Sequence, residues 1–224
     1  MDLILSNNYI CHLLVMQREL MQELGFRSSV DGAQDHDIIL RAVDRMMGED
    51  RHAARKAKLP IAHIPKVLYH WRCYEGSTSE NPESKRYAYE AGRRAVEDFL
   101  KAREYQADVV HTCHLGFFRV NYQPDLLSNR PDVAVVGGKL IDRHNRVVGG
   151  IYNENREPLY LGLHKEYSGY MHRASCQQEA YAVDVRCMIC SGEAQTVWEE
   201  LTGLPYAVQP HTGYFLYQDV LKKD

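Results

Sequence analysis

The sequence predicts an α/β protein, and three observations support this fold class. Apolar residues recur at helical spacing in three segments, over residues 15–24, 37–48 and 85–104. Segments typical of strands occur between and after them: residues 66–72 alternate between two faces, and residues 133–136 and 147–151 are short apolar runs. The chain has 224 residues, of which 45% are hydrophobic and 25% charged, and this composition can form one large domain or two small ones.

Composition and charge argue against several classes of protein. The formal net charge of −3 gives no electrostatic reason to expect a nucleic-acid partner. The sequence has no run of about eighteen apolar residues, so it predicts no membrane-spanning helix. The first residues lack the basic and long apolar regions of a signal peptide, and the six cysteines are scattered. We therefore expect reduced thiols and a cytoplasmic location.

Two of the predicted helices have recognisable ends. The helix over residues 15–24 precedes Gly25, and glycine favours the left-handed conformation that ends a helix. The helix over residues 85–104 follows Ser84, which is a good N-cap. The apolar faces consist of Leu13, Met16, Leu20 and Leu24 in the first of these helices, and Ala88, Ala91, Ala95, Phe99 and Ala102 in the second.

The first predicted strand, over residues 66–72, has two distinct faces. Pro65 cannot donate a ladder hydrogen bond, so we expect this strand at a sheet edge or beginning after the proline. Val67, Tyr69 and Trp71 alternate with Leu68, His70 and Arg72. His70 and Arg72 on one face could meet an anion or a metal. A half-buried histidine bonded to a carbonyl is the favoured explanation from this stretch alone.

The second half of the chain predicts a hairpin. Residues 133–136 form a continuous apolar strand that ends at Gly137 and Gly138. Residues 143–146 make a polar turn, and residues 147–151 form the returning strand.

The most distinctive local pattern is the turn over residues 32–37, which contains Asp35, His36 and Asp37 and leads into the second predicted helix. A carboxylate at a helix N-terminus is held by free backbone N–H groups and by the helix dipole. Its fixed geometry suits either a simple N-cap, which is the commoner role, or a catalytic base.

Closely spaced cysteines and histidines give a competing prediction. His111 with His114, and Cys187 with Cys190, are pairs of the kind that form tetrahedral zinc sites. The two pairs are much farther apart in sequence than in a zinc finger. Because free cysteines are commonly small core residues, we favour core packing and keep zinc as the alternative.

Several motifs over residues 1–100 occur in an order found in one enzyme family. They include residues 5–9 (Leu-Ser-Asn-Asn-Tyr), 25–27 (Gly-Phe-Arg), 32–37 (Gly-Ala-Gln-Asp-His-Asp), 63–72 (His-Ile-Pro-Lys-Val-Leu-Tyr-His-Trp-Arg) and 76–78 (Gly-Ser-Thr). Together they resemble the acceptor half of a family 2 glycosyltransferase, particularly the large tandem-domain enzymes of bacterial surface-polysaccharide synthesis. The resemblance implies a partial GT-A fold, which is a Rossmann-like sandwich of a mixed sheet with flanking helices.

The resemblance also implies a domain organisation and a location. Residues 1–104 correspond to the acceptor half of one domain, and residues 105–224 resemble a partial second domain of the same kind. Such enzymes transfer a sugar from a nucleotide-sugar donor to a glycan acceptor with inversion. They work in the cytoplasm, and peripheral association with the inner face of the membrane through a larger assembly is expected.

Roles for individual residues follow from the same resemblance. Asp35 matches the general base that accepts the proton of the acceptor hydroxyl. Asp37, Trp71 and Arg72 correspond to substrate-binding positions, and His70 to a histidine near the metal and the diphosphate. The cofactor implied is Mg²⁺ or Mn²⁺.

One feature of the family has no counterpart in this sequence. The family binds its metal through an Asp-x-Asp motif that precedes the acceptor half. Residues 35–37 fit these letters but stand at the position of the base, and residues 114–124 contain no paired acids. We therefore expect either a piece of a longer protein or a decayed one. The alternative function is a non-catalytic carbohydrate-binding or interaction domain derived from a glycosyltransferase.

Overall fold

A computed structural model describes residues 1–10, 12–48, 60–70, 72 and 85–206, together with the backbone of residues 217–218. The fold is mixed α/β. The chain divides into two units, one formed by Ile4–Pro124 and the other by Met1–Leu3 with Asp125–Asp224. This division differs from the predicted boundary after residue 104, because a β-hairpin that follows the long helix belongs with the helices before it.

The N-terminal unit is mainly helical. A short helix α1 (Asp2–Ser6) crosses the boundary between the units, and α2 (Arg18–Leu24), a 3₁₀ turn (Ser28–Val30), α3 (Gln34–Met47) and α4 (Arg86–Ala102) follow. The three predicted helices are therefore confirmed, although α2 begins later and α3 earlier than expected. No residue of α2 is buried, and its predicted apolar face is only partly covered.

The core of this unit lies between α3, α4 and a hairpin. The hairpin consists of β1 (Ala107–His111) and β2 (Phe118–Tyr122), which are antiparallel. The sequence predicts no strand over these residues, so the hairpin is a finding of the structure. The main buried side chains are Ile38, Ile39, Leu40 and Val43 of α3, Ala91, Ala95, Val96, Phe99 and Leu100 of α4, and Val109, Phe118 and Val120 of the hairpin.

The predicted strand over residues 66–72 is wrong over its described part. Residues 60–70 contain neither helix nor strand, and all of them are exposed. A strand needs a neighbour that accepts its backbone hydrogen bonds, and no strand pairs with this segment among the described residues. Pro65 further removes one of the donors such a pairing would use.

The C-terminal unit contains small sheets and two helices. After α5 (Leu126–Asn129), the strands are β3 (Val135–Gly137), β4 (Leu140–Ile141), β5 (Val147–Gly149), β6 (Ile151–Tyr152), β7 (Ala182–Val183), β8 (Met188–Cys190) and β9 (Tyr217–Gln218). Helix α6 (Gly192–Thr202) follows β8.

Strand pairing in this unit differs from the prediction in two ways. The predicted hairpin partner of β5 was the strand over residues 133–136, but β5 pairs with β4, and β3 pairs with β8 and β9. In addition, every strand pair among the described residues is antiparallel, so the expected mixed sheet is not observed. The core of the unit comprises Ala134, Val135, Ile151, Val183, Met188 and Cys190.

Within the described part of the chain, no helix is both long enough and apolar enough to cross a lipid bilayer.

Candidate functional site

The first turn of α3 carries both candidate carboxylates. The helix begins at Gln34, and its N-cap is Ala33, whose side chain makes no capping hydrogen bond. Asp35 is therefore not the N-cap that its sequence pattern also suggested. It is the second residue of the helix, where the helix dipole still favours a negative charge.

Asp35 and Asp37 lie on opposite sides of α3. Two residues along an α-helix correspond to a rotation of about 200°, so one carboxylate faces solvent when the other faces the protein. Asp35 is exposed, whereas the side chain of Asp37 is only 2% exposed. The two carboxylates therefore serve different purposes.

The Asp35 carboxylate is held by hydrogen bonds on both oxygens. Its Oδ1 accepts the backbone N–H of His36 at 2.9 Å, and its Oδ2 accepts from Nδ2 of Asn8 at 3.1 Å. Beside it, the backbone N–H of Gly32 donates to Oε1 of Gln34 at 2.9 Å. The result is an oriented carboxylate that solvent and small molecules can reach and that can accept a proton.

The Asp37 carboxylate is bound by two arginines. Nη2 of Arg27 donates to Oδ1, and Nε of the same residue lies 3.3 Å from Oδ2. Nε and Nη2 of Arg41 lie 2.8 Å and 2.7 Å from Oδ2. The hydrogen bond that Arg27 donates to Asp37 is the main cause of the raised pKa of Arg27. Both oxygens of Asp37 are thus occupied by side chains of the protein.

These arginines connect Asp37 to the neighbouring elements. Nη1 and Nη2 of Arg41 donate to the carbonyls of Leu24 and Gly25 at 2.6 Å and 2.7 Å, at the C-terminal end of α2. Nη1 of Arg27 forms an ion pair of 3.0 Å with Asp98 of α4. The network around Asp37 therefore joins α2, α3 and α4. The predicted substrate-binding role of Asp37 stays a prediction.

His36 lies between the two carboxylates in sequence and is buried. Its Nε2 lies 2.8 Å from the carbonyl of Ile4, to which it donates as the Nε2–H tautomer, and its ring stacks on Phe118 at 6.2 Å. Burial lowers the pKa of His36, against the opposing effects of the Ile4 hydrogen bond and of the two carboxylates. His36 thus ties the N-terminal segment that carries Asn8 to the start of α3.

The remaining predicted site residues are not joined to this turn in the described structure. His70 and Arg72 are exposed, and among the described residues no hydrogen bond or ion pair connects either of them to Asp35 or Asp37. Trp71 lies outside the described residues. The assignment of His70 to a metal and of Trp71 and Arg72 to the substrate remains a prediction.

The residues of the zinc alternative do not form a metal centre. All four are described, and no group of three or more His, Cys, Asp or Glu side chains in the described part of the chain could hold a metal ion. Cys187 and Cys190 are 3% and 4% exposed, as expected for core residues. Nε2 of His111 lies 2.8 Å from Oε1 of Glu90.

Sequence reasoning missed three contributors to this site. Arg41 follows Asp37 by four residues, and that helical spacing could have identified their ion pair. Arg27 belongs to the motif over residues 25–27, but its ion pairs with Asp37 and Asp98 are tertiary contacts. Asn8 belongs to a motif that carried the family resemblance, but the contact of its amide with Asp35 is a tertiary one.

Comparisons with known proteins give two partial relatives. An uncharacterized protein of Sinorhizobium fredii, y4gI, is 45% identical over 100 residues, which are 44% of this chain and 10% of that protein. The O-antigen biosynthesis protein RfbC of Myxococcus xanthus is 29% identical over 136 residues, which are 60% of this chain and 9% of that protein. The chain spans about a tenth of the length of these relatives.

No protein-family model matches the chain, and no solved structure matches it.

Proposed function

We propose that this chain contributes to surface-polysaccharide synthesis as part of an inverting glycosyltransferase of the GT-A type. The distant relative named for O-antigen biosynthesis supports the process, and the motifs around Asp35 support the reaction. The donor is a nucleotide-sugar, the acceptor is a glycan hydroxyl, and Asp35 is the general base.

The observation that carries this proposal is the contrast between the two carboxylates of α3. Asp35 is exposed and oriented by Asn8 and by the helix backbone. Asp37 is buried and bound by two arginines. Only Asp35 is available to a substrate, and a base must come within about 3 Å of the proton that it removes.

The chemistry follows from this availability. Asp35 accepts the proton of the acceptor hydroxyl as the hydroxyl oxygen attacks the anomeric carbon of the donor. The new C–O bond forms on the face opposite the nucleoside diphosphate, whose bond to the same carbon breaks. The proton on Asp35 then passes to water, which restores the carboxylate.

Asp37 and His36 act in this proposal as positioning residues. Asp37 fixes the first turn of α3 against α2 and α4 through its arginines, and His36 fixes the same turn against the segment that carries Asn8. Loss of either side chain is expected to displace Asp35, although neither side chain touches the substrate.

The described residues do not form a complete site for Mg²⁺ or Mn²⁺. Such an ion takes about six ligands, mostly oxygen atoms, and no suitable group of three side chains is present among the described residues. A role for His70 as a ligand would require further ligands from other parts of the protein or from the diphosphate.

The experiment measures sugar transfer by the full-length protein. UDP release is followed with UDP-glucose, UDP-galactose or UDP-N-acetylglucosamine in the presence of Mn²⁺ and acceptor glycan. Asp35→Asn is expected to lower kcat by about a hundredfold or more, the usual range for loss of a general base. The KM for the donor should stay unchanged, because Asp35 faces the acceptor.

The matched control is Asp108→Asn, which changes an exposed carboxylate on β1 of the same unit and should leave kcat unchanged. Transfer that survives Asp35→Asn would exclude Asp35 as the base. Glycan binding on an array without any transfer, equal in the native chain and in Asp35→Asn, would instead favour the non-catalytic carbohydrate-binding alternative.

A further inference from the structure

Two exposed tyrosines adjoin the carboxylate of Asp35. Tyr9 directly follows Asn8, whose side-chain amide donates to Asp35 at 3.1 Å. Tyr87 lies against Gly32, which precedes Asp35 by three residues. Tyr9 and Tyr87 are 45% and 59% exposed. Single exposed aromatic residues are common on protein surfaces, but these two adjoin the immediate neighbours of one accessible carboxylate.

The ring of Tyr87 rests on the turn that leads into α3. A Cβ added at Gly32 would lie 2.8 Å from Cε2 of Tyr87, so the ring can occupy this position because Gly32 has no side chain. The three residues from Gly32 to Asp35 span at most about 10 Å, so the ring and the carboxylate lie in the same part of the unit. Tyr87 belongs to the first turn of α4, and Ala91 and Ala95 of that helix are buried. A packed helix therefore holds the ring in place.

The side chain of Tyr87 is available to a ligand. Within the described part of the chain, it makes no hydrogen bond and no contact with another aromatic ring. Its hydroxyl can donate and accept a hydrogen bond, and its ring offers an apolar face. A sugar makes these same two kinds of contact, through its hydroxyl groups and through the C–H groups of its ring.

The segment that carries Tyr9 is anchored to the same unit by hydrogen bonds. Nδ2 of Asn7 donates to the carbonyl of Gly116 at 3.1 Å, which ties the segment to the loop of the β1–β2 hairpin. The backbone N–H of Tyr9 donates to the carbonyl of Asn7 at 2.9 Å and closes a tight turn. Together with the bond from Asn8 to Asp35, these contacts hold the backbone of Tyr9 beside Asp35 and leave its side chain exposed.

We propose that Tyr9 and Tyr87 are acceptor-binding residues, and that each stacks on the apolar C–H face of a pyranose ring of the glycan. Tyrosine supplies a large contact area at a low cost in conformational entropy. Contacts of this kind orient the acceptor so that one hydroxyl group meets Asp35, and correct orientation lowers the barrier to transfer. This inference rests on the proposed function for the identity of the ligand, and it assigns the residues that select the acceptor.

The binding experiment titrates the full-length protein with three methyl glycosides and follows saturation-transfer difference NMR. The probes are methyl β-glucopyranoside, methyl β-galactopyranoside and methyl α-rhamnopyranoside. Sorbitol is the reference, because it has hydroxyl groups but no ring face. We expect at least one glycoside to bind, and sorbitol to bind more weakly or not at all. Tyr9→Ala and Tyr87→Ala should each weaken that binding about fivefold, as for loss of one aromatic contact, whereas Tyr9→Phe and Tyr87→Phe should retain most of it.

The matched control is Tyr167→Ala, which removes a tyrosine of the C-terminal unit that is 58% exposed and should leave the affinity unchanged. Circular dichroism shows whether each variant folds. Leucine replaces alanine in any variant that does not fold, because it keeps apolar bulk without an aromatic face. Absence of binding by all three glycosides at millimolar concentration, equal binding of sorbitol, or unchanged binding by a folded variant that lacks either ring would overturn the proposal.

Transfer kinetics separate failure of this inference from failure of the proposed reaction. Tyr87→Ala should raise the KM for the acceptor about fivefold and leave kcat and the KM for the donor little changed, as for loss of a binding contact. Transfer by the native protein with an unaltered acceptor KM in Tyr87→Ala would overturn this inference alone. Glycoside binding that depends on Tyr9 and Tyr87, without any transfer by the native protein, would overturn the transferase reaction alone.

Discussion

Asp35 and Asp37 show how two identical side chains in one helical turn acquire different properties. Their separation by about 200° around α3 directs one carboxylate to solvent and the other towards α2 and α4. A buried carboxylate must be paired to avoid a large desolvation cost, and Arg27 and Arg41 meet that requirement. The exposed carboxylate needs no such pairing and stays accessible.

The ion-pair network predicts a large loss of stability in Asp37→Asn. The substitution leaves two arginines, whose side chains are 35% and 22% exposed, without their shared carboxylate. We expect the free energy of unfolding to fall by about 2–4 kcal/mol, because removing one partner of a buried ion pair leaves the other charge uncompensated. Water reaches part of both arginine side chains, and this solvation lowers the cost. Urea unfolding followed by circular dichroism measures the change.

Asp35→Asn is the control for this measurement. Its carboxylate is exposed and contributes mainly through the helix dipole, so the loss should stay below about 1 kcal/mol. Equal stability of the Asp37→Asn and native chains would contradict the structural role assigned to the network.

His36 predicts a dependence of stability on pH. Burial lowers its pKa in the folded chain below the ordinary value of 6.5, so the unfolded chain takes up a proton at higher pH than the folded chain does. This contribution to stability is complete well above pH 6.5 and is lost as the pH falls through that value towards the folded pKa.

The urea midpoint of the native chain should therefore decrease between about pH 7.5 and about pH 5. His36→Gln, which cannot take up this proton, should have a lower midpoint at neutral pH and a flatter dependence. Parallel pH profiles for the two chains would argue against His36 as the source of the effect.

At the scale of elements, the approach of α3 to α4 depends on the turn before α3. Gly32 has a φ of 93°, and an added Cβ would lie 2.8 Å from the Tyr87 ring, 2.9 Å from Cβ of Ala88 and 3.0 Å from Cα of Ala88. The Tyr87 ring is 59% exposed and can move, but the backbone of α4 cannot move without disturbing the core.

Gly32→Ala is accordingly expected to destabilise the chain by about 2–4 kcal/mol, because it adds steric overlap to an unfavourable positive φ. Gly48→Ala provides the comparison. Gly48 has a φ of 68°, and its added Cβ meets no described atom within 4 Å, so only the backbone term of about 1 kcal/mol applies. Equal midpoints for the two variants in thermal unfolding would refute the close contact with α4.

Helices were predicted better than strands for a physical reason. The faces of α3 and α4 follow from side chains three and four residues apart, which a local pattern records. The segment over residues 66–70 has an alternating pattern, but a strand forms only when another strand accepts its hydrogen bonds. The β1–β2 hairpin has such a partner, although its short alternation gave no prediction.

At the scale of the whole molecule, the chain comprises two units with separate cores. The N-terminal unit contains the turn of Asp35. Both partial relatives are about ten times longer than the matched regions.

The sequence alone determined the mixed α/β class, the approximate positions of α2, α3 and α4, and the presence of Asp35 at the start of a helix. These features depend on local periodicity and on residues with strong conformational preferences, such as Gly25. The tertiary structure alone decided that Asp35 is exposed and that Arg27 and Arg41 bind the carboxylate of Asp37. Those properties arise when distant segments pack together, and local sequence does not record which charges packing buries and which it leaves accessible.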